Sequence, residues 1–228
     1  MTADEEKRFA AEAALNHVSD GMCVGVGTGS TVEIFIELLV EKIASENISI
    51  TAVPSSYATE IKLHDSGIST IPLSRVTGLA CAVDGADEVD SNLALIKGGG
   101  AALLREKIIA EASEQVVIIV DASKVVKTLG TRMPVPVEIL PADLSLSMAR
   151  IQKLGGSPMV RQAQRKAGPI ITDNGNFILD VTFPQIPGPA KLERQLNAIP
   201  GVLENGIFPN QADVVYVGQE TGAKLLQR

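Results

Sequence analysis

The sequence is poor in aromatic residues, with five Phe, two Tyr and no Trp among 228 residues. Proteins that stack the bases of single-stranded nucleic acids need such side chains, so this class is disfavoured. Hydrophobic residues nevertheless make up 45% of the chain. This content is too high for a disordered chain, and it predicts a globular core built from Ala, Val, Ile and Leu.

Cysteine and histidine are also scarce, with two residues of each. Cys23 and Cys81 lie in the apolar runs GMCVGV and LACAV. This placement predicts small buried side chains and no disulfide framework, as in a reducing compartment. His17 and His64 have no cluster of other ligands around them in the sequence, so a transition-metal site is poorly supplied. We assign neither histidine a role in the chemistry.

Positive charge is in deficit, because 20 Lys and Arg residues stand against 27 Asp and Glu, a net charge of −7 with neutral His. A nucleic-acid partner needs a basic surface, so we predict none. No apolar run approaches the ~20 residues of a membrane span. The acidic N-terminus lacks the apolar region of a signal peptide, and Thr2 followed by Glu5 predicts a helix capping box. We expect a cytoplasmic protein without a membrane partner.

Up to about residue 129, short continuous apolar runs alternate with helical patterns. Strands covered on both faces are apolar throughout, so this alternation predicts an α/β domain with a Rossmann-like, doubly wound and mostly parallel sheet. The predicted strands lie near residues 22–26, 48–53, 79–83, 93–96 and 116–120. The predicted helices lie near residues 4–18, 31–44, 56–65 and 101–113.

From about Gly130 the pattern becomes β-α-β-β-α-β, which predicts a second, smaller ferredoxin-like α+β domain. Within it, Asn174-Gly175 predicts a hairpin with a type I′ turn. We expect residues 1–129 with 208–228 to form the Rossmann-like domain, and residues 130–207 to form the small one. The tail predicts one more strand followed by a short helix.

Polar clusters follow five of the predicted strands. Ligands of open α/β sheets bind beyond the carboxyl ends of the strands, so parallel strands would place all five clusters along one rim. The clusters are residues 27–31, 54–56, 84–88, 97–100 and 121–124.

The first cluster, GTGST, opens a predicted helix, and its backbone amides and hydroxyls suit a phosphate group. A tight turn that needs glycine only for its backbone is the alternative. Ser30 stands where a dinucleotide fingerprint needs its last glycine, and a Walker A motif is absent. A mononucleotide or a sugar phosphate therefore fits better than NAD or ATP.

Three further features could carry chemistry. The acidic run DGADEVD suits magnesium binding or acid/base catalysis, or else it is a solvated turn. The run KGGG can hold an oxyanion with its amides, or else it is a hinge. Glu106 has four apolar neighbours at helical spacing, Ala102, Leu103, Ile109 and Ala110.

An apolar environment would make the carboxylate of Glu106 a stronger base, as a general base requires. The alternative is a glutamate at the margin of a buried stripe. Lys7 and Lys124 are candidate phosphate partners, although a lone lysine is usually just solvated.

Seven motifs in order, GVGTGST, VDGADE, KGGGAALLREKIIA, DASK, KLGG, TDNGN and NAIPGV, resemble the ribose-5-phosphate isomerase type A family over nearly the whole chain. The resemblance implies interconversion of D-ribose 5-phosphate and D-ribulose 5-phosphate in the non-oxidative pentose phosphate pathway. The reaction would pass through a cis-enediolate, without a metal or organic cofactor. The resemblance also implies a Rossmann-like domain with a small ferredoxin-like domain, and a homodimer or tetramer.

The resemblance further implies a role for each motif. Glu106 would move the proton between C2 and C1, Asp84 would assist ring opening, and Asp87 would hold sugar hydroxyls. Lys97 and the glycines after it would stabilise the enediolate oxygen. The implied substrate-binding residues are Lys7, Thr28, Gly29, Ser30, Thr31, Asp84, Gly85, Ala86, Asp87, Lys97, Gly98, Gly99, Gly100 and Lys124.

Two other functions compete with this one. A CoA-transferase-like enzyme of the same fold would use Glu106 as a nucleophile. A sugar-phosphate-sensing module would bind the same ligand but would need no base.

Overall fold

The computed structural model describes residues 2–227, which form two compact units. The first unit contains residues 2–86, 105–125 and 211–227, and the second contains residues 87–104 and 126–210. The boundaries expected near residues 129 and 208 lie within a few residues of two of these. Segment 87–104, which we expected in the Rossmann-like domain, belongs to the second unit because its strands pair there.

Six α-helices and thirteen strands are assigned within residues 2–227. The helices are α1 Ala3–Ala14, α2 Ser30–Glu46, α3 Tyr57–Asp65, α4 Leu103–Glu111, α5 Leu144–Lys153 and α6 Pro189–Asn197. The first seven strands are β1 Cys23–Val26, β2 Thr51–Pro54, β3 Cys81–Asp84, β4 Glu88–Val89, β5 Leu95–Ile96, β6 Val116–Asp121 and β7 Val135–Ile139. The others are β8 Ser157–Val160, β9 Phe177–Thr182, β10 Val202–Asn205, β11 Ile207–Phe208, β12 Val214–Gln219 and β13 Gly222–Gln227. None of these helices is long and apolar enough to cross a membrane.

The first unit is built on one six-stranded sheet, in the order β13-β12-β6-β3-β1-β2. All neighbouring strands run parallel except β13, which pairs antiparallel with β12. Strand β6 is buried along its whole length, as a strand covered on both faces must be. The predicted doubly wound α/β fold is confirmed. The chain winds outward in opposite directions from β1 and β3, and ligands of open α/β sheets bind beyond the carboxyl ends of the strands at such a reversal.

The second unit contains the predicted ferredoxin-like fold. Its antiparallel sheet has the order β10-β7-β9-β8, with α5 after β7 and α6 after β9. Ile139, Ile151, Leu179 and Leu196 are fully buried in its core. A separate sheet, β11-β5-β4, belongs to the same unit.

The position of strand β5 differs from the expectation that all five polar clusters follow strands of one parallel sheet. Only Leu95–Ile96 is extended, and it pairs antiparallel with β4 and β11 instead of joining the parallel sheet. Four polar clusters therefore follow strands of the parallel sheet, and the cluster at 97–100 follows a strand of a different sheet.

Two local predictions were wrong. The tail ends in strand β13 and not in a helix, because a two-residue turn at Glu220-Thr221 returns the chain along β12. The turn near Asn174 is not type I′, which needs positive φ at both central residues. Gly175 has φ 82°, Asn174 lies outside the left-handed region, and the Gly175 N–H donates to the Thr172 carbonyl at 2.9 Å.

Candidate active site

The loop after β1 lies against the end of β3, at the point where the winding of the sheet reverses. The Gly27 N–H donates to the Val83 carbonyl at 2.9 Å. A Cβ at Gly27 would lie 1.8 Å from Asp84 Oδ1, so only glycine lets this carboxylate lie over the loop. Oδ1 accepts the N–H groups of Thr28 at 3.2 Å and Gly85 at 2.7 Å. Asp84, which is 6% exposed, is thereby held in a fixed position.

The same loop also takes part in a cluster of four hydroxyl groups, one of which belongs to the loop residue Thr28. Thr28 Oγ1 lies 2.7 Å from Ser55 Oγ, 2.8 Å from Ser56 Oγ and 3.0 Å from Thr59 Oγ1. Thr59 Oγ1 donates to the Gly27 carbonyl at 2.7 Å. The sequence showed polar residues at 54–56 but did not assign them to the site. Ser56 caps α3 by accepting the Thr59 N–H, and that spacing is the signal that could have found this cluster.

Helix α2 begins directly after this loop. Its N-cap Gly29 has φ 124°, a left-handed value that favours glycine, and no side chain caps the helix. The first amides of a helix lack intrahelical acceptors and carry its positive dipole end. The half-buried Thr31 and the exposed Gly29 and Ser30 stand at this helix end. This combination suits a phosphate group.

Lys7 and Lys124 lie on two elements of the first unit that contact each other. Glu6 Oε2 accepts the N–H of Ala122 at 3.0 Å, which joins the first turns of α1 to the 3₁₀ turn Ala122–Lys124. Lys7 Nζ lies 3.0 Å from Asp4 Oδ1, and the Asp4 side chain is 81% exposed. The Lys7 side chain is itself 16% exposed, but an ion pair with so exposed a carboxylate contributes little, so the ammonium can exchange it for another anion.

Glu106 lies on α4 and is only 5% exposed. The four apolar neighbours identified from its helical spacing are all buried. Helix α4 packs closely on β1, because a Cβ at Gly25 would lie 2.4 Å from Ile109 Cγ2. The carboxylate is therefore carried by a helix that lies against the strand leading into the Gly27 loop.

The acidic run 84–90 has two kinds of carboxylate. In the second unit, Glu88 is fully buried and accepts three backbone amides, from Gly130, Arg132 and Met133, at 2.6 to 2.8 Å. Asp90 Oδ1 accepts two amides of its own turn. The hydrogen bonds of these two acids are to the backbone, so Asp84 and Asp87 remain the candidates for chemistry. Within residues 2–227, no group of three or more His, Cys, Asp or Glu side chains could hold a metal ion.

Lys97 and the three glycines after it follow β5 in the second unit. Lys97 is 3% exposed, and its Nζ lies 5.6 Å from the centroid of the Phe208 ring. Gly98 has φ 103°, and a Cβ there would lie 2.8 Å from Leu103. Asp87 Oδ2 accepts the Gly99 N–H at 2.8 Å, so Asp87 contacts the glycine loop directly.

The structure thus distributes the predicted site residues between its two units. The first unit holds Lys7, Thr28, Gly29, Ser30, Thr31, Asp84, Gly85, Ala86, Glu106 and Lys124, and the second holds Asp87, Lys97, Gly98, Gly99 and Gly100. Two of the four unit boundaries fall inside motifs, between Ala86 and Asp87 and between Leu104 and Arg105. The chain therefore passes from one unit to the other within the segments that carry the candidate chemistry.

A family model described as ribose 5-phosphate isomerase A (phosphoriboisomerase A) matches residues 51–222. Ribose-5-phosphate isomerase A of Pyrococcus abyssi is 45% identical over 229 residues, which cover 100% of both chains. The corresponding protein of Thermosynechococcus vestitus is 47% identical over 93% of this chain and 91% of its own. The chain belongs to the ribose 5-phosphate isomerase A family.

Solved structures of ribose 5-phosphate isomerases agree with this membership. That of ribose 5-phosphate isomerase A from Methanocaldococcus jannaschii is 39% identical, covers 100% of both chains and has a TM-score of 0.95. A D-ribose-5-phosphate isomerase in complex with phospho-erythronic acid is 45% identical, also over 100% of both chains, with a TM-score of 0.97. The resemblance inferred from the ordered motifs is confirmed. The family model leaves out residues 1–50, but the full-length matches also cover the Lys7 helix and the Gly27 loop of this chain.

Proposed function

We propose that this chain interconverts D-ribose 5-phosphate and D-ribulose 5-phosphate, as an aldose–ketose isomerase without a metal or organic cofactor. The observation that carries the proposal is the full-length similarity to the isomerase that binds phospho-erythronic acid. This acid carries a phosphate at one end and a carboxylate at the other. Its carboxylate resembles the two oxygens of a cis-enediolate, the expected intermediate of the reaction.

The phosphate of the sugar binds at the N-terminus of α2. The amides of this helix end, the side chains of Ser30 and Thr31, and Lys7 and Lys124 supply hydrogen-bond donors and positive charge. Thr28 acts mainly by shaping the loop, since its hydroxyl belongs to the four-hydroxyl cluster. Binding energy from this remote group orients the sugar at its reacting carbons.

Asp84 and Glu106 perform the proton transfers. The fixed carboxylate of Asp84 assists opening of the furanose ring by accepting the proton of the C1 hydroxyl and returning it to the ring oxygen as the bond between C1 and that oxygen breaks. Glu106 then removes the proton from C2 of the aldose and delivers it to C1. A carboxylate buried as deeply as that of Glu106 is weakly hydrated, and this favours its action on a carbon acid.

The negative charge that develops on the enediolate oxygen is received by Lys97 and the amides of the glycine loop. Donors already in place cost no reorganisation when the charge develops, and they act more strongly where water is excluded. Asp87 holds hydroxyls of the open-chain sugar.

We place this reaction in the cytoplasm, in a homodimer or tetramer. The free thiols of Cys23 and Cys81 agree with a reducing compartment, and sedimentation of the purified protein measures the assembly.

The test is turnover of ribose 5-phosphate in excess chelator by wild type, Glu106→Gln and the control Glu111→Gln. Glu111 lies on the same helix and is exposed, and its Oε1 accepts from Gln211 at 2.7 Å. We expect full activity for wild type and the control, and a loss of kcat of about 10²- to 10⁴-fold for Glu106→Gln. Binding of phospho-erythronic acid should persist in all three proteins.

The other outcomes separate the competing functions. No turnover by wild type, with binding retained, would indicate a sugar-phosphate sensor. Formation of an acyl-CoA intermediate on Glu106 would indicate a CoA transferase, and dependence on added metal would overturn the mechanism.

A further inference from the structure

Arg161 is a half-buried basic residue of the second unit to which the sequence assigns no role. It follows β8 directly, its N–H donates to the Ile178 carbonyl at 2.9 Å, and its side chain is 16% exposed. Nε and Nη2 bind the two carboxylate oxygens of Asp180 on β9, at 2.9 and 2.5 Å. Nη1 donates to the carbonyls of Gly98 at 2.9 Å and Gly99 at 3.0 Å. One guanidinium therefore joins the ferredoxin-like sheet to the glycine loop.

The direction of these carbonyls determines the direction of the amides. All peptide bonds among residues 2–227 are trans, and in a planar trans peptide the C=O and N–H groups point in opposite directions. Because both carbonyls converge on Nη1, the N–H groups of Gly99 and Gly100 point away from Arg161. The Gly99 N–H is seen to do so, since it donates to Asp87 Oδ2 at 2.8 Å. The Gly100 N–H is held toward the same general side.

The glycine loop borders a cavity that Arg161 also lines. This cavity has a volume of about 420 Å³, and its lining includes Gly99, Pro134, Arg161, Ile170 and Asp180. Glycine peptides have many accessible conformations, so a loop of three glycines beside a cavity needs specific bonds to keep one orientation. Arginine suits this task because its planar fork can bind a carboxylate with two nitrogens and still donate from the third. A lysine ammonium is a point charge and offers no such fork.

We infer that Arg161, oriented by Asp180, is a positioning residue that fixes the glycine loop so that the Gly100 amide stabilises the enediolate, since the Gly99 N–H is already bound by Asp87. The inference rests on the proposed function, in which this amide faces the developing charge. Arg161 contacts the loop from the side opposite its N–H groups, so it acts on the reaction only through Gly98 and Gly99. Loss of the Arg161 side chain should weaken binding of the enediolate intermediate more than binding of the substrate, whose reacting carbons carry no charge.

The experiment compares wild type with Arg161→Gln, Arg161→Lys, Asp180→Asn and a matched control, Arg150→Gln. In the same unit, Arg150 Nη1 donates to Asp143 Oδ2 at 3.3 Å and to the Pro200 carbonyl at 3.0 Å. It thus binds a carboxylate and a carbonyl, as Arg161 does, but not the loop. For each protein we would measure kcat and KM for ribose 5-phosphate, the inhibition constant of phospho-erythronic acid, and the thermal midpoint.

Arg161→Gln should lower kcat by about 10- to 100-fold, with KM changed by less than about threefold. The inhibition constant of phospho-erythronic acid should rise by the same factor as kcat falls, because the acid reports binding of the intermediate. Arg161→Lys should stay close to Arg161→Gln, because charge without the fork does not hold two carbonyls. Asp180→Asn should lie between these variants and wild type, and Arg150→Gln should match wild type.

Two results would overturn the inference while leaving the proposed function intact. In the first, wild type is active and Arg161→Gln matches Arg150→Gln in kcat and in inhibition by the acid. In the second, Arg161→Lys restores full activity, which would show that only the charge matters. If Arg161→Gln does not fold, Asp180→Asn provides the test. Wild-type kinetics in Asp180→Asn would then overturn the inference. Inactive wild type would instead overturn the proposed function.

Discussion

The two glycine loops of this chain are held in place by different chemistry. In the first unit, the Gly27 carbonyl is bound by the neutral hydroxyl of Thr59, within the hydroxyl cluster around Thr28, and the Thr28 amide is bound by the Asp84 carboxylate. In the second unit, the loop at Gly98 is fixed by charged side chains, with Arg161 on its carbonyls and Asp87 on an amide. The first loop is also packed tightly against Asp84, whereas the second borders a cavity.

This difference matches the demands that the proposed reaction places on each loop. A phosphate is a permanent anion, so a loop beside it needs a rigid shape and open amides more than it needs further charge. A loop that receives a transient oxyanion must keep its amides aimed in the absence of that charge. Charge-assisted hydrogen bonds are stronger than neutral ones, so they suit the loop that borders a cavity.

The largest expected effect comes from filling the space at Gly27. A Cβ there would lie 1.8 Å from Asp84 Oδ1 and 2.6 Å from Asp84 Cβ, so rotation of the side chain cannot relieve the clash. Gly27→Ala should therefore displace Asp84 and lower kcat/KM by about 10²-fold or more. Steady-state kinetics on ribose 5-phosphate would measure this loss.

Gly78→Ala is the control for this substitution. A Cβ at Gly78 would meet only the Ala112 carbonyl, at 3.9 Å, and should leave the kinetics unchanged. Wild-type kinetics for Gly27→Ala would show that the reaction does not need Asp84 in this position.

A smaller effect is expected at Gly99 in the second loop. A Cβ there would lie 2.8 Å from Asp87 Oδ1 and 3.2 Å from its Cγ, at the far end of a side chain that can rotate. Gly99→Ala should lower kcat/KM on the order of tenfold, because the loop can adjust toward the cavity beside it. The same assay gives the ratio of the two effects. A loss as large as that of Gly27→Ala would show that both loops are equally rigid.

The fold was largely predictable because its signals are local. Continuous apolar runs marked the buried strands, and the capping box of Thr2 and Glu5 forms as predicted. Cys81 is buried as expected, and burial raises the pKa of its thiol to about 11, while Cys23 is half-buried. The errors arose where pairing partners decided the structure. Leu95–Ile96 and Gly222–Gln227 are extended because of the strands they meet, which short patterns do not specify.

The candidate site was predictable only as far as its motifs extend. Acidic and glycine-rich clusters follow strand ends, where bound ligands are expected, so Asp84, Lys97 and their neighbours could be named. Arg161 lies in the polar run RQAQRKAG, whose composition is that of an exposed loop. Its contact with Gly98 spans 63 positions of sequence, and its partner Asp180 is 19 positions away. Long-range contacts of this kind leave no local signal.

The smallest expected effect concerns the hydroxyl cluster, and it falls on stability more than on chemistry. Thr59→Val keeps the shape of the side chain but removes the donor to the Gly27 carbonyl and one neighbour of the Thr28 hydroxyl. A buried polar group left without its partner costs about 1–3 kcal/mol, so the free energy of unfolding in urea should fall by that amount. Thr59→Ser retains the hydroxyl and should therefore keep most of the wild-type stability that Thr59→Val loses. Equal stability of Thr59→Val and wild type would mean that the Thr59 hydroxyl does not stabilise the first loop. The contrast between a neutral and a charged donor to the loop carbonyls would then fail.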